Sequence, residues 1–230
     1  MTNCITAFLP CRAGSERVPK KNHRPFASFE HGLIEIKLNQ LLACEAINKV
    51  ILSTNDKVII DYASTLHHPK LTISIRPESL GNNTTSTDDL IKHVLDLVLS
   101  GHILWTHVTS PFVSTSDYSK IIEAYLKALS HGYDSLMTAT AIHGFLWNDE
   151  GPLNYDRGIE KWPRTQTLSP VYEINSAAFL ASSSVCREQL DRVGNSPYLY
   201  QLDRFSGHDI DWEEDFVLAQ QLLALNLVSL

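Results

Sequence analysis

The stretch Leu9-Pro10-Cys11-Arg12-Ala13-Gly14-Ser15-Glu16-Arg17-Val18-Pro19-Lys20-Lys21-Asn22-His23-Arg24-Pro25 directly follows an apolar run that begins at Cys4. Five basic residues fall between Arg12 and Arg24, where an even spread of the chain's nineteen would place about one. Positive charge at that density needs a polyanion or open solvent. Ala13, Gly14 and Ser15 let a ligand come close to the backbone, while Pro10, Pro19 and Pro25 stiffen a loop that would otherwise lose much entropy on ordering. A strand feeding such a loop suits a triphosphate. The chain has neither Gly-Lys-Ser/Thr nor Gly-x-Gly-x-x-Gly, which excludes a P-loop and a Rossmann fingerprint.

Around this loop, short β-branched runs alternate with amphipathic stretches. The strands predicted are Ile5–Leu9, Val50–Ser53, Leu71–Ile75, Ile103–Val108, Ser135–Thr140 and Ala177–Ala181. The helices predicted are Leu33–Ala46, Val58–Leu66, Thr87–Leu99, Tyr118–Leu129, Ser183–Leu190 and Trp212–Leu225. Leu33, Ile34, Leu38, Leu41 and Leu42 recur at helical spacing, so the first helix reads as packing rather than as a site. Alternation of this kind predicts an α/β fold, a mostly parallel, doubly wound sheet with helices on both faces, in one domain over residues 1–230. Between about 141 and 172 the alternation breaks. Gly144, Gly151, Pro152, Gly158, Pro163 and Pro170 are too many breakers for one regular element, and Phe145, Trp147, Tyr155, Trp162 and Tyr172 are too many aromatics for a solvated loop. A protruding arm that makes contact is the expectation; a long surface loop is the alternative.

A net charge of −7 argues against broad nucleic-acid or anionic-membrane binding and makes the basic loop a local island. Cys4, Cys11, Cys44 and Cys186 show no Cys-x-x-Cys spacing, and no secretory or membrane-spanning segment is visible, which together point to a reduced cytoplasmic setting. Arg and Lys around Cys11 could lower its pKa, but no His–Asp relay supports nucleophilic chemistry. None of the ten histidines forms a ligand pair, so zinc is not expected.

A second cluster, His208-Asp209-Ile210-Asp211, leads into Trp212-Glu213-Glu214-Asp215. Carboxylates flanking one residue can point the same way from an extended chain and offer hard oxygens to Mg²⁺. Asp211 with Glu214 three residues later also reads as a capping box opening the last helix. Spacing alone leaves both readings open.

The N-terminal stretch resembles the Pro-x-Arg-x-Gly-Ser-x-Arg-x-Pro-x-Lys-Asn motif of the cytidylyltransferases that activate acidic sugars, the CMP-sialic acid synthetases and their relatives for other nonulosonic acids. It matches at Pro10, Arg12, Gly14, Ser15, Arg17, Pro19, Lys21 and Asn22. Ser53-Thr54-Asn55-Asp56, Arg76-Pro77-Glu78-Ser79-Leu80 leading to Thr84-Thr85-Ser86-Thr87, and Thr109-Ser110-Pro111 are similar to further segments of that family. The resemblance implies a nucleotidyltransferase that moves CMP from CTP to an acidic sugar, releasing pyrophosphate, in cell-surface glycan biosynthesis. It implies nucleotide binding by Arg12, Ala13, Gly14, Ser15, Arg17, Lys21, Asn22, Arg76 and Thr87, with Arg76 and Thr87 bordering the cytosine and Asn22 facing the ribose. His107, Thr109, Ser110 and Asn175 would meet the sugar, Asp209 and Asp211 would hold Mg²⁺, and Arg12, Lys21, Asp209 and Asp211 would carry catalysis. The arm would make a homodimer and complete the neighbour's sugar pocket. Three departures stand out: His107 replaces the family Gln, Glu173 replaces its Arg, and Trp147 stands near the place of its arm Lys. A sugar carboxylate would then be left to Arg164 or Gln166, or the sugar would be a different one. An Asp-x-Asp glycosyltransferase and a catalytically silent nucleotide-binding relative are the competing functions.

Overall fold

The computed structural model describes residues 4–81 and 85–230, so Thr84 of the quoted segment lies outside the described residues. Strand β1 (Ile5–Cys11) opens the sheet and is buried on both faces. Its residues Ile5, Ala7, Leu9 and Cys11 enter one core cluster and Phe8 enters the other, as expected for a central parallel strand. Six further strands complete the sheet: β2 (Lys49–Thr54), β3 (Leu71–Ile75), β4 (His102–Trp105), β5 (Ser135–Ile142), β8 (Val171–Ser182) and β9 (Pro197–Leu202). Their order is β3-β2-β1-β4-β8-β5-β9. β8 runs antiparallel to both β4 and β5, and the other pairings are parallel.

Helices cover both faces, which is the doubly wound arrangement. Helices α1 (Gly32–Ala43), α2 (Lys57–Thr65), α4 (Thr115–Leu129) and α6 (Glu213–Ala224) supply the larger core cluster through Leu33, Ile59, Tyr118 and Phe216 among others. Helices α3 (Thr87–Leu97) and α5 (Ser183–Gln189) close the opposite face with Ile91, Val94 and Cys186 against Phe8, Trp105 and Phe179. Side-chain caps set the starts of four of them. Asp56, Ser86, Ser114 and Ser182 each accept from a backbone N–H in the first turn.

Strand β9 has no counterpart in the sequence reading. Gly194, Asn195 and Ser196 precede it and mark a loop, and Pro197 is tolerated because it is the first residue of a strand on the sheet edge. The excursion after β5 is also narrower than the breakers suggested. Ala141 and Ile142 pair with Tyr172 and Val171, so the sheet extends to the base of the arm and the departure covers 143–170. Tyr172 therefore belongs to β8, where its hydroxyl accepts from Gln201 Nε2. Within the arm, β6 (Trp147–Asn148) and β7 (Gly151–Pro152) form a two-stranded hairpin. Phe145, Trp147, Tyr155 and Trp162 gather there, with the Arg157 guanidinium over both indoles. Trp162 remains 62% exposed and Ile159 86% exposed.

Candidate active site

All parallel strands of an open α/β sheet end on one side, and both polar cavities here lie at that end. The first, of about 280 Å³, is lined by Arg12, Ser15, Arg17, Lys21 and Asn22 of the loop after β1, together with His107 and Thr109 after β4. The second, of about 660 Å³, is lined by Asn175 and Glu173 of β8, Thr140 of β5, and Arg204, Gly207, His208, Asp209, Asp211 and Asp215. The two abut at one ion pair: an Arg17 guanidinium nitrogen lies 2.7 Å from Asp211 Oδ1.

The loop keeps its shape through contacts that the motif spacing anticipates only in part. Gly14 adopts φ +76°, a conformation that costs glycine nothing. Asn22 is buried and its Nδ2 donates to Arg12 O at 2.9 Å, closing the loop on itself. Asn55 Oδ1 accepts from Ala13 N at 2.9 Å and ties the loop to the end of β2. On its far side the loop docks on the last helix. Lys21 Nζ donates to Ile210 O at 2.7 Å, Arg17 packs on the Trp212 ring, and Arg24 pairs with Glu213 and covers the Phe216 ring. The ammonium of Lys21 is pushed below its usual range by burial, against the pull of Asp211 and Asp209. Cys11 goes the opposite way from the sequence expectation. Complete burial, with Asp56 adding, pushes its thiol up to about 12, outweighing Arg76 and Lys21, so it is an inert buried thiol.

The Asp-x-Asp segment is divided differently from a simple capping box. Asp215 Oδ2 accepts from both Asp211 N and Trp212 N, so Asp215 performs the cap role that the sequence offered to Asp211 and Glu214. Asp211 is thereby left with its carboxylate directed at Arg17. Asp209 Oδ1 is buried and has no hydrogen-bond partner among the described residues. Such an atom calls for a cation or a donor.

The remaining predicted residues fall in several places. Ala13 and Gly14 shape the loop without lining either cavity. Arg76 is buried, with its donors held by Ser53 O, Ser53 Oγ and Leu80 O, and it too lines neither cavity. Thr87 is exposed in the first turn of α3; the cap is Ser86, whose Oγ accepts from Asp89 N. Asn175 is held by Thr138 and Thr140 at the wall of the second cavity, where β8 bulges against β5. Arg164 and Gln166 sit on the arm and line neither cavity.

Helix α1 contributes more than packing. Lys37, fully buried, donates to Ser110 O at 2.7 Å and Tyr118 Oη at 2.8 Å, and Gln40 Nε2 donates to Pro111 O at 2.7 Å. Ile210 N donates to Thr109 O from the other side. The Thr109-Ser110-Pro111 turn is therefore clamped between α1 and the Asp-x-Asp segment. Polar residues on an otherwise apolar helix face, spaced i, i+3, were the available signal for this clamp. Burial pushes Lys37 down to about 7, and the Asp209 carboxylate only partly restores it.

A sequence profile described as Cytidylyltransferase matches residues 6–151. The pseudaminic acid cytidylyltransferase of Campylobacter jejuni is 23% identical over 226 residues, covering 95% of this chain and 96% of that protein. The CMP-N,N'-diacetyllegionaminic acid synthase of Legionella pneumophila is 25% identical, covering 98% and 99%. Among solved structures, a CMP:2-keto-3-deoxy-manno-octonic acid synthetase complexed with CTP superposes with a TM-score of 0.70 at 15% identity, covering 97% of this chain and 99% of that one. The matched profile takes in the phosphate loop, the Ser-Thr turn after β2 and the Thr-Ser-Pro turn after β4, and it displaces the glycosyltransferase alternative. This chain belongs to the cytidylyltransferase family.

Proposed function

We propose that this cytidylyltransferase transfers CMP from CTP to a nonulosonic acid, with Mg²⁺ as its cofactor. The observation that carries the proposal is the meeting of Arg17 and Lys21 with Asp211 and the Ile210 carbonyl, which sets a cationic phosphate loop directly against a carboxylate pair. The relatives named for pseudaminic and legionaminic acids, each matched along nearly their whole length, support the class of sugar.

The residues present fit the ion. Asp209 offers a buried carboxylate oxygen without a donor, Asp211 a second carboxylate, and both are hard ligands suited to Mg²⁺. No group of three metal-binding side chains occurs among the described residues, so water and phosphate oxygens would complete the shell. When bound there, Mg²⁺ would neutralise charge on the phosphates. Arg12 and Lys21 hold the triphosphate oxygens and offset the charge that builds on the departing pyrophosphate. The sugar hydroxyl attacks the α-phosphorus from the side of the second cavity, where Asn175 orients the sugar; Thr109 faces it from the wall of the first cavity, while Ser110 is buried in the clamped turn and lines neither.

Two broader features belong to the same proposal. The exposed indole cluster of the arm is the surface through which two copies would pair into a homodimer. The four cysteines are free thiols and three are buried, which supports a reducing, cytoplasmic setting. No helix among the described residues is long and apolar enough to cross a membrane.

The test offers CTP and Mg²⁺ with a panel of nonulosonic and octulosonic acids and follows pyrophosphate. Release that requires both CTP and a nonulosonic acid is the expected result. Release with UTP or GTP and none with CTP would overturn the assignment of the base, and release with octulosonic acids alone would overturn that of the sugar.

A further inference from the structure

His107 stands after β4 on the wall of the first cavity, beside Arg12 and Lys21. Its Nε2 receives Trp105 Nε1 at 2.8 Å and faces an Arg192 guanidinium nitrogen at 3.4 Å. Indole and guanidinium groups only donate. Nε2 must therefore be the unprotonated nitrogen, and the ring's hydrogen is on Nδ1, which has no partner among the described residues. The imidazole is held as a neutral ring with one donor left over, Nδ1–H, where a glutamine would present either a donor or an acceptor.

Behind the ring lies a cation with little else to do. Arg192 packs 3.8 Å above the Phe179 ring centroid and 5.4 Å from that of Trp105, partly withdrawn from water, and it makes no ion pair among the described residues. Its charge acts through His107 on whatever Nδ1–H meets. Burial pushes His107 down to about 3, with the charges of Arg192, Lys21 and Lys37 adding, so the ring stays neutral at any pH at which the enzyme would work.

The second cavity is a poor place for a carboxylate. Glu173 and Asp215 line it beside Asp209 and Asp211, the pair that would hold the ion, against one exposed basic side chain, Arg204. In a nonulosonic acid the carboxylate is borne on the same carbon as the attacking hydroxyl, so it must stay close to the α-phosphate and hence to the cavity that Arg12, Lys21 and His107 share. We infer that the Nδ1–H of His107, positioned by Trp105 and backed by the Arg192 charge, is the donor that receives the carboxylate of the acceptor sugar. The inference rests on the proposed function and names the part of the site that selects an acid over a neutral sugar.

Pyrophosphate release with a nonulosonic acid and with its carboxyl methyl ester, in native enzyme and variants, tests it. His107→Leu should raise KM for the acid by about 10- to 100-fold, the scale of a lost hydrogen bond to a charged group, and shrink the preference for acid over ester by a similar factor, with KM for CTP nearly unchanged. His107→Gln, which keeps an N–H donor, should restore most of the preference. Arg192→Met, which keeps the packing on Phe179 and removes the charge, should lower it in part, and this variant carries the test should His107→Leu fail to fold. A preference intact in His107→Leu or Arg192→Met, a rise confined to the KM for CTP, or a preference that responds to Arg204→Ala instead would overturn the inference while leaving the proposed function standing. Absence of release by native enzyme with every nonulosonic acid would overturn both.

Discussion

Arg17 and Asp211, separated by 194 positions in sequence, meet at 2.7 Å with both side chains about half exposed. An ion pair this open to water contributes only about 0–1 kcal/mol to stability, and the Trp212 ring under the guanidinium adds about 0.5–1 kcal/mol. It is weak enough to be exchanged when a polyphosphate takes Arg17 and a cation takes Asp211. Asp211→Asn should therefore shift the unfolding free energy by less than about 1 kcal/mol, yet lower turnover by about two orders of magnitude or more. Urea unfolding alongside pyrophosphate release separates the two, and a variant that loses stability and activity in proportion would make the pair structural.

Arg12 lines the same cavity as Arg17 and Lys21. Arg12→Ala should reduce turnover by roughly two to three orders of magnitude, the scale for removing one electrostatic stabiliser. Near-normal pyrophosphate release by this variant would remove Arg12 from the chemistry.

Buried Lys37 makes a stability prediction with a definite sign. Its folded pKa, about 7, lies below the ordinary lysine value of 10.5, so between these values the unfolded chain binds the extra proton and stability rises with pH. Below about pH 7 the native state carries a buried ammonium and that contribution is gone. Lys37→Met abolishes the slope. Relative to native protein the variant should lose about 2–3 kcal/mol between pH 7 and pH 9, read from urea unfolding at the two values. An equal difference at both would show that Lys37 titrates normally.

Gly207 lies where the segment after β9 lines the second cavity, the one proposed to take the sugar. A Cβ there would run into Thr140 Oγ1 and press on Asn175 Nδ2 and Asp203 O. Gly207→Ala should cost about 1–3 kcal/mol of stability and, by displacing Asn175, raise KM for the sugar while leaving that for CTP within about twofold. Isothermal titration with CTP and steady-state kinetics for the sugar distinguish the outcomes; a loss of CTP affinity would contradict the placement of Asn175 on the sugar side.

On the arm, Trp162 is the large aromatic with the most exposed surface. Trp162→Ser removes apolar area from the face through which two copies would pair, and light scattering should show the mass falling from two chains to one at low micromolar concentration. A native protein that already scatters as one chain would refute the homodimer.

Much of the architecture was legible before any coordinates. The apolar run into Pro10 and the helical spacing from Leu33 act over a few residues, and the corresponding strand and helix form there, with ends that shift by up to a few residues because caps such as Ser114 set them. Strand β9 escaped because its own breakers hide it and only the free edge of β5 makes it a strand. Lys37 and Gln40 escaped because a helix with this apolar stripe is normally all packing, and the carbonyls they bind belong to a turn some 70 residues away.

The chemistry was legible in kind but not in arrangement. Residue types showed a basic loop suited to phosphate and an acidic segment open to two readings, and the family resemblance singled out Arg12, Lys21, Asp209 and Asp211. Whether Asp211 would cap a helix or keep its carboxylate free depended on Asp215 reaching back to two amide groups. Which nitrogen of His107 carries the hydrogen depended on Trp105 and Arg192 converging from separate elements. Local preferences are written in neighbouring residues, since backbone sterics and side-chain periodicity act at short range along the chain. The pairing of the basic loop with the acidic segment, and the direction in which each polar group points, follow from the order of strands in the sheet and the packing of helices upon it, which only the folded chain brings about.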